Sequence, residues 1–475
     1  MDRTTAADAR CKGFDPHTLD QAAESMLCYI YANLPSLPVY EGTRLAASAS
    51  PDGGDRISRL PPELLSKIVS RLPSVKDAAR TAVLSSHWRR VWLSTPLVLS
   101  DAHLHPEAWG WPPTPASSPA VTAAVSRILE AHPGPFHCVH LVCSHMSAHR
   151  ARLARWLQLL AAKGVQDLAL VNRPWPRDVS LPPTLFAVTT LTRLYVGMWK
   201  LPGTAALRGA SFPHLRELGL SCVEMEQGVV DSLVARSPAL ETLNILGCKG
   251  LRLRLVSQSL RCVQISCSRM EDIAVVKASL LERLILFRPC KIAGGISTRL
   301  RIGDAPKLQA FGYLEPGQVL KVRDTIIMPG IASANAFPTE RLHIMSKRCA
   351  EPTGNYLTLQ FWEESDPEEN LVSRISVMSF REFTGDPGEV GFLEFFFRSA
   401  RALETASVSM ANPSFTPFST QEAYAKVKRS SRIKASESNM VVLGSTGPAG
   451  GKIWSLKDGA DFSFHDPFSE VEVVG

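Results

Sequence analysis

Between Asp55 and Leu93 the apolar positions fall into helical spacing three times in succession. Pro61 and Pro62 start the first run, because a proline's missing amide would go unpaired in a helix's first turn in any case. Leu64, Leu65, Ile68, Val69 and Leu72 then cover a broad stripe, and Pro73 is expected to close the helix. Ser74, with Asp77 three residues on, predicts the start of a second helix over Val75 to Ser85. Trp88, Val91 and Trp92 share one face of a third. A module this small buries too little surface to be stable alone: each large side chain returns about 1.5–3 kcal/mol, against about 1–2 kcal/mol per residue ordered. Its surplus apolar face must rest on the remainder of the chain or on another protein.

Upstream, Leu19 to Leu34 forms one amphipathic stretch, followed by Pro, Ala, Ser and Gly up to Gly54; residues 1–54 are expected to be a leader helix and a flexible linker. Downstream of the helical module (55–97), Leu97 to Leu99 predicts a short strand, Trp109 to Pro119 a proline-rich surface loop and Val121 to His132 a helix. A repeat follows. The segments GVQDLAL, LTRLYV, LRELGL, LETLNI, LRCVQI, LERLIL and LQAFGY align at Leu168, Leu194, Leu218, Leu243, Val263, Leu284 and Phe311, separated by 26, 24, 25, 20, 21 and 27 residues. Such periods belong to repeats that offer one short strand each and bury themselves only by stacking, so an irregular α/β solenoid is expected over 98–317. Strand alternation then places Arg193 and Tyr195, Glu217 and Gly219, Thr242 and Asn244, Cys262 and Gln264, and Arg283 and Ile285 on the open face.

Beyond Gly317 (318–475) the pattern changes. Ile375, Val377 and Phe383 suggest a strand, Gly385-Asp386-Pro387-Gly388 a turn, and Val390, Leu393, Phe396, Phe397 and Ala400 a helix. Leu403, Ala406 and Val408 repeat the strand phase once more, as a cap on the stack would.

Composition narrows the chemistry. The chain has 475 residues, 45% hydrophobic and 20% charged, with a net charge of +7 spread along its length. That is the balance of a folded soluble protein, and gives little reason to invoke nucleic acid. Ten irregularly spaced cysteines suit reduced thiols, and no apolar run reaches the ~18 residues of a membrane span. Cytoplasm or nucleus is the expected location. His137, Cys138, His140, Cys143, His145 and His149 invite a zinc reading, but strand alternation puts them on opposite faces and no second ligand pair completes a tetrahedron. The basic run Lys426, Lys428, Arg429, Arg432 and Lys434 reads as a solvated face. GSTGPAGGK near the end imitates a phosphate loop but has Thr446 in place of the first glycine and Ile453 in place of the hydroxyl residue. No catalytic set, metal or cofactor is expected.

The run Leu60-Pro61, Leu64-Leu65, Ile68, Leu72-Pro73, Lys76 to Arg80, Leu84-Ser85, Trp88-Arg89 and Trp92 resembles the F-box of plant F-box/leucine-rich-repeat proteins, and 375–408 resembles the FBD region that closes many of them. Ser74 is an extra residue relative to that pattern, in an interhelical turn that tolerates it, and His87 replaces a residue that is often basic. The resemblance implies a non-catalytic substrate receptor of a cullin–RING ubiquitin ligase. The F-box would hold a Skp-type adaptor, with Leu60, Pro61, Leu64, Leu65, Ile68, Leu72, Leu84, Trp88 and Trp92 at the contact. The repeats would hold an unknown target protein through Arg193, Tyr195, Glu217, Asn244, Gln264 and Arg283. Two other readings remain open: a repeat scaffold outside any ligase, and a nucleic-acid-binding regulator using 426–434.

Overall fold

The computed structural model describes residues 15–39, 55–72, 74–105, 113–173, 179–287, 299–314, 320–322, 325–327, 341–346, 375–416, 418–433, 439–444 and 455–463, besides Ala7, Arg10 and Cys11. Pro73, Lys434, the phosphate-loop imitation after Gly444 and most of the linker lie outside them. The chain divides into two compact units, residues 1–229 with 236–239, and residues 230–235 with 240–475.

The first unit opens on helix α1 (Pro16–Asn33), capped by Asp15, whose carboxylate accepts from the Thr18 amide at 3.0 Å. This leader is part of the fold. Leu27 and Ile30 are buried, Tyr31 donates to the Val142 carbonyl at 2.8 Å, and Glu24 pairs at 2.5 Å with Arg173, whose side chain is only 2% exposed. The three module helices follow as α2 (Pro62–Ser70), α3 (Val75–Thr81) and α4 (Ser86–Ser94). Ser74 and Ser85 cap α3 and α4 by accepting from Asp77 and Trp88 amides at 3.2 and 3.3 Å. Helix α3 is shorter than its apolar pattern suggests: 82–84 form a turn that carries Val83 and Leu84 outward.

Five strands then stack in parallel in chain order: β1 (Leu97–Ser100), β2 (Phe136–Leu141), β3 (Asp167–Val171), β4 (Arg193–Gly197) and β5 (Glu217–Ser221). Helices α5 (Ser118–Ala131) and α6 (Arg150–Ala162) make the first two returns, and short 3-10 turns at Pro183–Ala187 and Thr204–Leu207 the next two. Leu168, Leu194 and Leu218 lie side by side and buried, as the repeat alignment requires, and Val139 extends the row into β2. The residue that follows β4 or β5 turns left-handed, Met198 at φ 59° and Cys222 at φ 52°, so the same bend recurs with the repeat period.

Asp101 ties the start of this stack together. Its buried carboxylate accepts from the Val142 and Cys143 amides at 2.8 and 2.9 Å, yet burial outweighs those bonds and pushes its pKa up to about 6. The same group titrates near 3.8 when unfolded. The folded state therefore keeps a proton that the unfolded chain has lost. Its contribution is full below about pH 4 and is lost as pH rises through 6, about 3 kcal/mol at about 1.4 kcal/mol per pH unit. Urea titrations at pH 4 and pH 7 should register that loss in the wild type, and Asp101→Asn should flatten it.

The second unit carries eight further parallel strands: β6 (Thr242–Leu246), β8 (Cys262–Ser266), β10 (Arg283–Phe287), β12 (Ala310–Leu314), β15 (Arg341–Met345), β16 (Val377–Phe383), β17 (Thr405–Met410) and β18 (Asn439–Leu443). Leu243, Val263, Leu284 and Phe311 are in register and buried. The row continues through Leu342, Met378, Ala406 and Met440, so the strand ladder runs on past residue 317. The earlier returns here are strands: β7 (Lys249–Ser257), β9 (Arg269–Ala278), β11 (Arg299–Asp304), β13 (Leu320–Val322) and β14 (Thr325–Ile327) form a second sheet in the order β14-β13-β11-β9-β7. In β7, Leu251, Leu253 and Leu255 are buried while Arg252, Arg254 and Val256 are not. Helices α7 (Pro387–Ser399), α8 (Thr420–Ser430) and the short α9 (Leu456–Ala460) complete the unit.

Candidate docking surfaces

The residues expected at the adaptor contact divide into two sets. Leu65 and Trp88 point into the unit, at 0% and 7% exposure, and the Trp88 indole donates to Ser58 Oγ at 2.7 Å. Trp92 is half-buried with its ring 4.8 Å from that of His132, and Leu60 and Leu72 are half-buried too. These side chains hold the module together and fix it to the unit. Thr95 adds to the attachment, bonding Val91 O at 2.8 Å and receiving His132 Nε2 on its carbonyl at 3.2 Å.

The other set faces outward. Pro61 is exposed, Leu64, Ile68 and Leu84 are 45%, 41% and 67% exposed, and Ile57 and Val83, absent from the expected set, are 56% and 83% exposed. These five large aliphatic side chains of the module are thus open to solvent. Helical periodicity alone finds the stripe but not which half of it the chain covers. Val83 was missed because it was placed inside a helix that ends before it.

The expected target-binding face is not open. In the first unit Arg193 pairs with Asp167, and the Tyr195 hydroxyl donates to Glu217; Arg193 and Glu217 are half-buried and Tyr195 is buried. Burial works against the Asp167 carboxylate, but its bond to Arg193 prevails and holds its pKa below the usual range. The Tyr195 ring lies over Gly219, where a Cβ would sit 2.3 Å from Tyr195 Cδ1. Gly219→Ala should therefore cost about 1–3 kcal/mol by overpacking. In a Tyr195→Ala background the same change should cost nothing further, a coupling that a thermal double-mutant cycle reads directly.

In the second unit Asn244, Gln264 and Arg283 are buried, as are Thr242, Cys262 and Ile285. Alternation assigns them to the correct side of the strands, but residues 456–461 cover part of that side. Gln264 Nε2 donates to Asn244 Oδ1 at 2.9 Å and to the Leu456 carbonyl at 2.7 Å, and Arg283 Nη1 donates to the Gly459 and Asp461 carbonyls at 2.8 and 2.9 Å. The covering segment lies more than 170 residues further along the chain, and it has no local signal that pairs it with these strands.

Of the other candidate chemistry, Cys138 is buried in β2, where burial raises its thiol pKa to about 12. Among the described residues no group of three His, Cys, Asp or Glu side chains is placed to hold a metal ion, and no helix is long and apolar enough to cross a membrane. Within the basic run, Lys426 is engaged by the fold. It donates to the Gly385 carbonyl at 2.7 Å and lies 3.6 Å from the centre of the Phe418 ring.

Three family models match the chain: the F-box domain over 57–99, the leucine-rich repeats of FBD-associated F-box protein At5g56370 over 153–346, and FBD over 363–408. Similar proteins from Arabidopsis thaliana include F-box/FBD/LRR-repeat protein At1g13570, 29% identical over 40% of this chain and 44% of its own length. F-box/LRR-repeat protein 25 is 25% identical over 45% of this chain and 76% of its length. F-box/LRR-repeat protein At3g59200 is 32% identical over 40% and 36%. The chain thus spans less than half the length of most of these relatives.

Proposed function

Because the chain is a plant-type F-box/leucine-rich-repeat protein with an FBD region, we propose that it is a substrate-recognition subunit of a ubiquitin ligase. Its F-box docks a Skp-type adaptor, and its repeats select a target protein, in the cytoplasm or nucleus. The observation that carries this reading is the open aliphatic face of Ile57, Leu64, Ile68, Val83 and Leu84 beside a well-packed inner face of Leu65, Val69 and Trp88. A module that were only structural would have no reason to leave five aliphatic side chains wet. A protein interface of standard size, roughly 1,600 Å² in total, accommodates such a face at its centre.

The chain supplies no chemistry of its own on this reading. Its contribution is proximity: a target held beside a charged conjugating enzyme meets it at a high effective concentration. The test is gel filtration of the full chain mixed with a purified Skp-type adaptor at micromolar concentration. Co-elution as a one-to-one complex is expected. Separate elution at every ratio would leave a repeat scaffold outside any ligase as the better account.

A further inference from the structure

The second unit's strand face holds a short piece of the chain in the manner of a bound peptide. Ser455 caps one turn of helix, α9, and the chain then extends through Asp461 and Phe462. Its backbone carbonyls at 456, 459 and 461 are read by Gln264 and Arg283, and Cys262 Sγ adds a 3.4 Å contact to the Gly459 carbonyl. Phe462 supplies the anchor. Its ring centre is 3.9 Å from the Arg261 guanidinium carbon and 4.5 Å from that of Arg283, and it packs on the apolar cluster of Cys262, Ile285, Phe287 and Ala310. Backbone carbonyls and one ring between cations are features that another segment can reproduce, because neither demands a particular series of side chains.

Two further observations mark the occupant as replaceable. A five-residue helical turn has no stability of its own, so this element is held only by what it touches. And Gln264 Oε1 is buried without a hydrogen-bond donor among the described residues, so the present occupant leaves unfilled an acceptor that a better-matched peptide N–H would fill.

We propose that the face built from Arg261, Cys262, Gln264, Arg283 and Ile285 is a peptide-binding site, kept closed by the chain's own residues 455–463. It opens to a target segment that places an aromatic side chain just after a helical turn. The inference deepens the target-recognition part of the function above and rests on it; it does not depend on adaptor docking. A tethered occupant acts at an effective concentration of about 1 mM, so a free peptide with an intrinsic Kd of about 10 μM is held back about 100-fold.

The probe is a fluorescein-labelled peptide of residues 455–463, SLKDGADFS, titrated by anisotropy into the full-length chain. The Phe462→Ala chain is expected to bind it about 100-fold more tightly than the wild type. A probe with alanine in place of its phenylalanine should not bind, and Arg283→Gln in the Phe462→Ala chain should abolish binding. Equal affinity of the wild-type and Phe462→Ala chains, or no binding by a folded Phe462→Ala chain, overturns the proposal. Should that variant not fold, hydrogen exchange on the wild type decides: several millimolar unlabelled peptide must speed exchange of the 456–463 amides, and unchanged exchange overturns the proposal. Adaptor capture by the same proteins reports separately on the F-box, so the two readings fail distinguishably.

Discussion

Replacing Leu64 and Leu84 together by aspartate is expected to weaken capture of a Skp-type adaptor at least 100-fold without lowering the unfolding midpoint. Both side chains are about half exposed or more, so in the free protein the new carboxylates remain in water, and surface changes of this kind usually cost within about 0.5 kcal/mol. In the proposed adaptor complex the same carboxylates would be buried without partners. Truncating one central apolar anchor typically costs 2 kcal/mol or more, and two such losses with unpaired charge added exceed about 3 kcal/mol, which is over 100-fold. The contrast is Leu65→Asp. Leu65 is 0% exposed, and a charge there should unfold the module and lose capture together with its circular-dichroism signal. A calorimetric titration paired with a melting curve on each variant separates the two outcomes.

That contrast marks where reading the sequence stops. The apolar stripe, the cap at Ser74, and the aligned row Leu168, Leu194 and Leu218, with Leu243 to Phe311 in the second unit, were all legible, because helical and strand periods and repeat phase are local properties. Period does not say which half of a stripe the chain itself covers, and so Leu64 and Leu65 looked alike. Alternation placed Gln264 and Arg283 on the right side of their strands, but the segment that buries them comes from 456–461, joined by contacts that no local pattern encodes. G-L-R-L-R-L-V in 250–256 alternates plainly, and is the local signal of the second sheet that supplies the first returns of the second unit.

The second large effect concerns Glu389 at the start of α7. Its buried carboxylate accepts from the Thr384 amide at 2.8 Å, the Thr384 hydroxyl at 2.9 Å and the Gly385 amide at 2.9 Å, and closes a capping box with Asp386. The turn it holds joins β16 to α7, whose Leu393, Phe396 and Phe397 are buried. Gly385 sits there at φ 85°, so the turn already depends on a backbone that only glycine adopts freely. Glu389→Ala removes one acceptor and orphans several donors. At about 1–3 kcal/mol for each buried donor left unpaired, the loss should reach about 3–5 kcal/mol. Glu394→Ala, on the same helix but half-exposed, should stay within about 0.5 kcal/mol. Urea denaturation followed by hydrogen exchange over 377–410 checks both. A Glu389→Ala chain as stable as wild type would mean that the turn is held elsewhere.

Hydrogen exchange on the full chain with and without a purified Skp-type adaptor tests the central claim most directly, because it locates the contact without altering any residue. The account predicts slowed exchange over 57–72 and 81–94, around Leu64, Ile68, Val83 and Leu84, with the repeat strands from 168 to 287 unchanged. A complex that protects the strands instead, or an adaptor that leaves the F-box amides exchanging as before, would contradict it.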